Sequence, residues 1–207
     1  FVGGQIGSFF IAKALISSPY IQQYNPYEWR MNTLLKVIAI RVARQSIYSL
    51  IGSNSTLISP KFGIIIAAYN VVFDALSIYF TAKNKTKKKT NVDYIALGMY
   101  GLGCILESGH DFLKSQFKKN PDNKGQLYTS GFGNFLVFPN YTGFWLWHTG
   151  RALLSHNIYY TSIVSAFQFY QFHSNGIPKA TEYASKKYGQ EYTNYRANTY
   201  KMIPFVY

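Results

Sequence analysis

The chain has 207 residues, a formal net charge of +13 and 48% apolar residues. That is enough length for one domain, and an apolar fraction ordinary for a soluble protein, so the average composition leaves the class open. The lone cysteine, Cys104, excludes an intrachain disulfide and a cysteine-rich metal site.

Distribution along the chain says more. The sequence starts at Phe1, so a targeting segment would lie outside what can be read. Residues 6–16 are apolar apart from Lys13 and read as the end of a span. Residues 21–32 are polar, carry Pro26 and read as an interfacial loop. Residues 33–52 set apolar side chains at helical spacing with Lys36, Arg41 and Arg44 among them, which predicts an amphipathic or tilted helix. Ser53 to Thr56 reads as a turn.

Residues 63–82 form the strongest apolar stretch, with a single charge, Asp74. About 20 such residues cross a bilayer. A carboxylate there is costly unless paired, and Arg41 or Arg151 is the expected partner in a structural ion pair. The run from Lys83 to Lys89 follows directly and reads as a positive-inside anchor on anionic lipid. An aromatic fraction of 18%, rich in tyrosine, fits membrane interfaces better than an aromatic-rich soluble core. Nucleic-acid binding is excluded as the meaning of the basic charge, because the lysines flank apolar helices and match no nucleic-acid module.

A second apolar helix is predicted from residue 92, with Gly98, Gly101 and Gly103 permitting close helix approach. It turns polar through Glu107, His110 and Asp111 to Phe117. That acidic and imidazole group is read as structural, with no metal expected. Residues 118–125 form a turn-rich loop, and residues 126–137 have no helical pattern. Residues 140–155 and 158–172 predict a tilted helical hairpin around His156 and Asn157. His148 and His156 have no evident carboxylate partner and read as interfacial. The tail, residues 178–200, is polar and predicted helical around Gly189. Its closing Met202-Ile-Pro-Phe-Val-Tyr207 is expected to tuck back against the membrane face.

Three features in this order carry a resemblance: Asn120-Pro-Asp-Asn-Lys-Gly125 followed by Gly131, then Pro139-Asn-Tyr-Thr-Gly143, and a Tyr-rich basic tail closing on Ile203-Pro-Phe205. Together they resemble the C-terminal domain of the steroid 5α-reductase family. The resemblance implies an all-α membrane protein: a polytopic bundle of transmembrane helices with a cytosolic-side cofactor loop and an amphipathic C-terminal helix. It divides the single domain into divergent helices over 1–90 and a reductase-like part over 91–207.

The family holds NADPH and reduces an activated carbon–carbon double bond in a lipid-like substrate. Carried over residue by residue, the resemblance assigns Asn120, Asn123, Lys124 and Gly125 to the phosphate and ribose end. It assigns Asn140 and Tyr141 to the nicotinamide end, and leaves Tyr188 or Tyr192 as proton donor. The family usually reads Arg-His-Pro-Asn-Tyr with a Glu three residues on, whereas this chain has Val137, Phe138 and Phe144 at those places. Losing one charge-assisted hydrogen bond costs on the order of 2 kcal/mol.

Three functions follow: a reductase of a steroid- or lipid-like enone, a non-catalytic accessory subunit of a larger membrane complex, and an S-adenosylmethionine-dependent methyltransferase of related architecture. The three apolar replacements favour the accessory subunit, packed among other membrane subunits. Expected surroundings are the mitochondrial inner membrane or the endoplasmic reticulum, with anionic lipids such as cardiolipin against the basic loops.

Overall fold

The computed structural model describes residues 2–51 and 60–204. The turn expected at Ser53 to Thr56, and the last residues from Phe205 to Tyr207, lie outside them. The described residues are mostly helical and contain no strand beyond one isolated bridge. They divide into two compact units, one of residues 1–98 and 150–162, the other of residues 99–149 and 163–207.

In the first unit, α1 (Val2–Ile16) packs against α3 (Glu28–Ile51) and α4 (Pro60–Lys83). The short α2 (Pro19–Gln22) starts where Ser18 accepts a hydrogen bond from the Ile21 N–H and Pro19 takes the first helical position. The polar stretch expected to be a loop is therefore partly helical, since α2 lies at its edge and α3 already begins at Glu28. A Glu in the first turn suits the positive end of a helix and outweighs the low apolar content there.

Gly63–Lys83 is, among the described residues, the one helix long and apolar enough to cross a membrane. Only 28% of its most apolar window is buried in the chain's own fold, which is not how a soluble core helix sits. Ile64, Ile65, Val72 and Leu76 are exposed along it. Asp74 is buried and takes both expected partners: Arg41 Nη2 donates to its Oδ2 at 2.7 Å and Arg151 Nη1 to its Oδ1 at 2.6 Å. Gln5, Ser8 and Gln45 also accept hydrogen bonds from Arg41. Burying a charge without such a shell costs several kcal/mol per ion, roughly.

The loop after α4 is shaped by Arg30. Its guanidinium forks onto Asp93 at 2.8 and 3.1 Å and binds the carbonyls of Thr86 and Lys88. Asp93 stands at the start of α5 (Asn91–Cys104) and also accepts the Thr90 N–H. Burial alone would raise the Asp93 pKa, but the hydrogen bonds from Arg30, Thr90 and His156 outweigh it and hold it at about 2. His156 is thus not unpartnered as expected, because its Nε2 lies 2.9 Å from Asp93 Oδ1. The φ of 54° at His156 turns the chain between α7 (Pro139–Leu153) and α8 (Ile158–Gln171).

In the second unit, the helix begun as α5 continues through one π-helical turn, Ile105–Gly109, into α6 (His110–Lys119). Gly103 and Gly143 face each other: a Cβ on Gly143 would lie 2.5 Å from Glu107 N and from Gly103 O. That spacing requires glycine on both helices. Short 3₁₀ turns at Pro121–Asn123 and Gly131–Asn134 lie within the stretch predicted to be non-helical. The tail forms α9 (Ile177–Tyr188) and α10 (Gln190–Ala197), broken at Gly189 with φ of 56°.

Residues 200–202 fold back onto the start of α7. Val137 N–H donates to Tyr200 O at 2.7 Å, Phe138 N–H to Lys201 O at 3.0 Å, and Thr142 Oγ1 to Met202 O at 2.7 Å. Met202 is fully buried beside Phe138 and Ile177. Apolar contact and paired backbone groups favour this fold-back together.

Candidate functional site

Folding the tail onto the start of α7 brings separate parts of the sequence around one cavity of about 160 Å³ in the second unit. Asn140 and Tyr141 line it from α7, Tyr183 and Tyr188 from α9, Tyr192 and Tyr195 from α10, and His110, Lys114 and Lys118 from α6. Four sequence-predicted site residues, Asn140, Tyr141, Tyr188 and Tyr192, are therefore neighbours. The three α6 residues recur every fourth position, so one face of the helix presents them together. Sequence reasoning stopped at the polar turn of this helix and overlooked the two lysines; their spacing from His110 was the available signal.

The predicted loop residues sit elsewhere. Asn120 caps the 3₁₀ turn by accepting the Asp122 N–H at 3.0 Å, and Asn123 Nδ2 donates to Phe117 O at 3.0 Å. Lys124 is exposed, and Gly125 provides the φ of 85° that the turn requires. None of the four lines the cavity.

The cavity is electropositive, with no Asp or Glu in its lining. Burial, then repulsion by Lys114 and Lys187, pushes the Lys118 pKa down. Burial, reinforced by Lys114, lowers His110 to about 4, so its imidazole is neutral at pH 7. Its Nδ1 is buried with no hydrogen-bond partner. Burial raises Tyr141, helped by Asp111 and Tyr192, and burial raises Tyr195. Both phenols stay protonated and able to donate. Tyr195 already donates to Gly133 O at 2.6 Å, which fixes the floor of the site.

Of the three apolar replacements, Val137 and Phe138 line the cavity and Phe144 does not. Phe138 stacks on Tyr141 with centroids 5.4 Å apart, and Tyr141 stacks on Phe172 at 4.6 Å. Phe144 packs against Trp147, His148 and Phe172. His148 is fully buried there. Glu107 accepts from Trp147 Nε1 at 2.6 Å, a structural use of the carboxylate, and no group of three metal-ligating side chains occurs among the described residues.

A mostly helical chain with one clear membrane-spanning helix and a basic, tyrosine-lined cavity is the class that fold and site define. The family described as "Protein of unknown function (DUF1295)" matches residues 48–199, and the chain belongs to it. DUF1295 is a steroid 5α-reductase-like family. The match begins well before residue 91, inside the part expected to be divergent. A curated protein from Ustilaginoidea virens, described as "Probable O-methyltransferase ustE", is 31% identical over 134 residues, which are 60% of this chain and 47% of that protein. The chain thus spans about half the length of that relative. No solved structure matches.

Proposed function

We propose that the chain is a membrane-embedded, NADPH-dependent reductase of an apolar enone, with the cofactor's phosphate-bearing end in the cavity of the second unit. The observation that carries this reading is the cavity itself, where Lys114 and Lys118 join Asn140, Tyr141, Tyr188 and Tyr192 with no carboxylate among them. Cations, amides and phenol donors are what phosphate and ribose groups require. A cavity of about 160 Å³ is smaller than the roughly 300–1,000 Å³ of whole-ligand sites, so it suits one end of a dinucleotide.

When bound, the cofactor supplies the hydride. The chain's own work is to hold and to polarise. Lys114 and Lys118 hold the anionic groups, Asn140 orients the adjoining ring system, and the phenol of Tyr141 or Tyr192 donates a hydrogen bond where negative charge gathers on oxygen. The exposed apolar residues of α4, including Ile64 and Ile65, and those of α8, including Ile163 and Tyr170, support contact of each helix with lipid.

Methyl transfer from S-adenosylmethionine to a substrate oxygen is the second reading, favoured by the name of the Ustilaginoidea virens relative. Charge argues against it, since a cofactor with one carboxylate and two cationic groups gains less from two lysines than the phosphates of a dinucleotide do. The accessory-subunit reading loses its best argument, because Phe144 serves internal packing and the cavity keeps its polar groups.

The test is a titration of the purified full chain in detergent with NADPH, NADH and S-adenosylmethionine, followed by tryptophan fluorescence. Saturable binding of NADPH in preference to the other two supports the reductase. Binding of S-adenosylmethionine alone would establish the methyltransferase instead, and no binding by any of the three would return the accessory subunit to first place.

A further inference from the structure

A second cavity, of about 370 Å³, belongs to the first unit and is independent of the cofactor site. It opens where α4 ends, and Lys83, the last residue of that helix, lines it together with Asn84, Lys85, Asn157, Ile158 and Tyr159. Two cations and no carboxylate stand in its lining. His156 also contributes, but Asp93, the carboxylate it touches, is already forked onto Arg30.

The neutral polar groups are set as donors. Asn84 Oδ1 accepts from the Thr86 N–H at 2.7 Å and from Arg30 at 3.4 Å, and Asn157 Oδ1 accepts from the Tyr160 N–H at 2.9 Å. In both carboxamides the acceptor is engaged by protein, which leaves the NH₂ group to offer. The loop that carries Lys85 is not left to chance, since Arg30 holds its backbone at Thr86 and Lys88. Around this donor set the rim is apolar: Ile158 is 64% exposed and Tyr159 is 80% exposed. A cavity with two exposed cations, of which Lys83 also donates to the Tyr79 hydroxyl at 3.2 Å, beside exposed apolar side chains at the end of a membrane-length helix, matches a molecule with an anionic head and hydrocarbon tails.

We infer that this cavity binds the phosphate of an anionic phospholipid, with Lys83 and Lys85 as counter-charges and the Asn84 and Asn157 amides as hydrogen-bond donors. The inference rests on Gly63–Lys83 spanning the bilayer, and it stands whether or not the cofactor cavity binds a dinucleotide. A free phosphate would meet the same donors, but it gives Ile158 and Tyr159 nothing to cover them.

The experiment uses the full chain in neutral detergent, titrated with short-chain phosphatidylglycerol or phosphatidylcholine and read by native mass spectrometry. Phosphatidylglycerol is expected to bind saturably and phosphatidylcholine not. The pair Lys83→Gln and Lys85→Gln should weaken binding about 30-fold, at about one factor of five per lysine. Lys88→Gln with Lys89→Gln removes the same charge from the same loop without touching the cavity, and should change binding less than about 3-fold, since neither side chain lines the site. Equal losses in the two pairs would overturn the inference in favour of diffuse surface charge. Displacement of the lipid by millimolar inorganic phosphate, or equal binding of phosphatidylcholine, would overturn it as well. A photoreactive phosphatidylglycerol on the unaltered chain provides a reading that does not depend on variant folding: label on peptides containing Lys83 or Asn157 supports the site, and label confined elsewhere contradicts it.

Discussion

The two units hold their charged groups differently. In the first, buried carboxylates are paired: Asp74 takes two arginines, and Asp93 takes an arginine and a histidine. In the second, Lys114, Lys118 and the unpartnered Nδ1 of His110 gather at a cavity without any carboxylate among its lining residues. The contrast is between buried charge paired within the fold and exposed charge lining a cavity, and only the second can meet a ligand without breaking a native ion pair.

The largest test of this contrast is Asp74→Ala, which leaves Arg41 and Arg151 buried around a missing charge. Destabilisation of about 3–5 kcal/mol is expected from stranding a buried partner, seen as a collapse of the folded fraction in thermal unfolding. Next is Gly143→Ala, whose Cβ would meet backbone atoms 2.5 Å away. About 1–3 kcal/mol is expected for such overpacking, measurable by chemical unfolding. Lys114→Gln with Lys118→Gln should do the reverse of Asp74→Ala, leaving stability within about 0.5 kcal/mol, as for surface changes, while cofactor binding falls.

The smallest effect is on acid tolerance. His110 has a folded pKa of about 4 against an ordinary 6.5, so the unfolded chain takes up the proton first as pH falls. Its stability contribution is complete above 6.5 and is lost as pH falls through 4. Asp93, held at about 2 against an ordinary 3.8, keeps its contribution until the pH drops below 3.8 and loses it as the pH falls through 2. Hydrogen exchange between pH 6.5 and 4 should therefore show the second unit loosening before the first, and His110→Gln should abolish that early loss.

Much of this was legible in the sequence. The span over 63–82, the need of Asp74 for Arg41 or Arg151, and the helices flanking His156 follow from periodicity and from the cost of a lone charge in hydrocarbon. Gly189 marks the break in the tail because a positive φ favours glycine. The illegible parts depend on distant pairing. His156 meets Asp93 across 63 positions, and the tail pairs with residues 136–138 through backbone groups that carry no sequence signature. The lysines of the cavity were passed over because the motif-bearing loop at residues 120–125 drew the cofactor assignment, whereas α6 presents Lys114 and Lys118 to the site. The packing of Phe144 on Phe172 was illegible because the two are distant in sequence, whereas its contacts with Trp147 and His148 are local to α7.

The central claim is that the second unit keeps an open site for an anionic cofactor. Calorimetric titration of NADPH into the full chain, unaltered and with Lys114→Gln and Lys118→Gln together, tests it most directly. The account predicts saturable binding that weakens on the order of 10-fold or more in the double variant, as expected for the loss of charge-assisted contacts to phosphate. Undiminished binding in the double variant, or no binding to the unaltered chain, would contradict it.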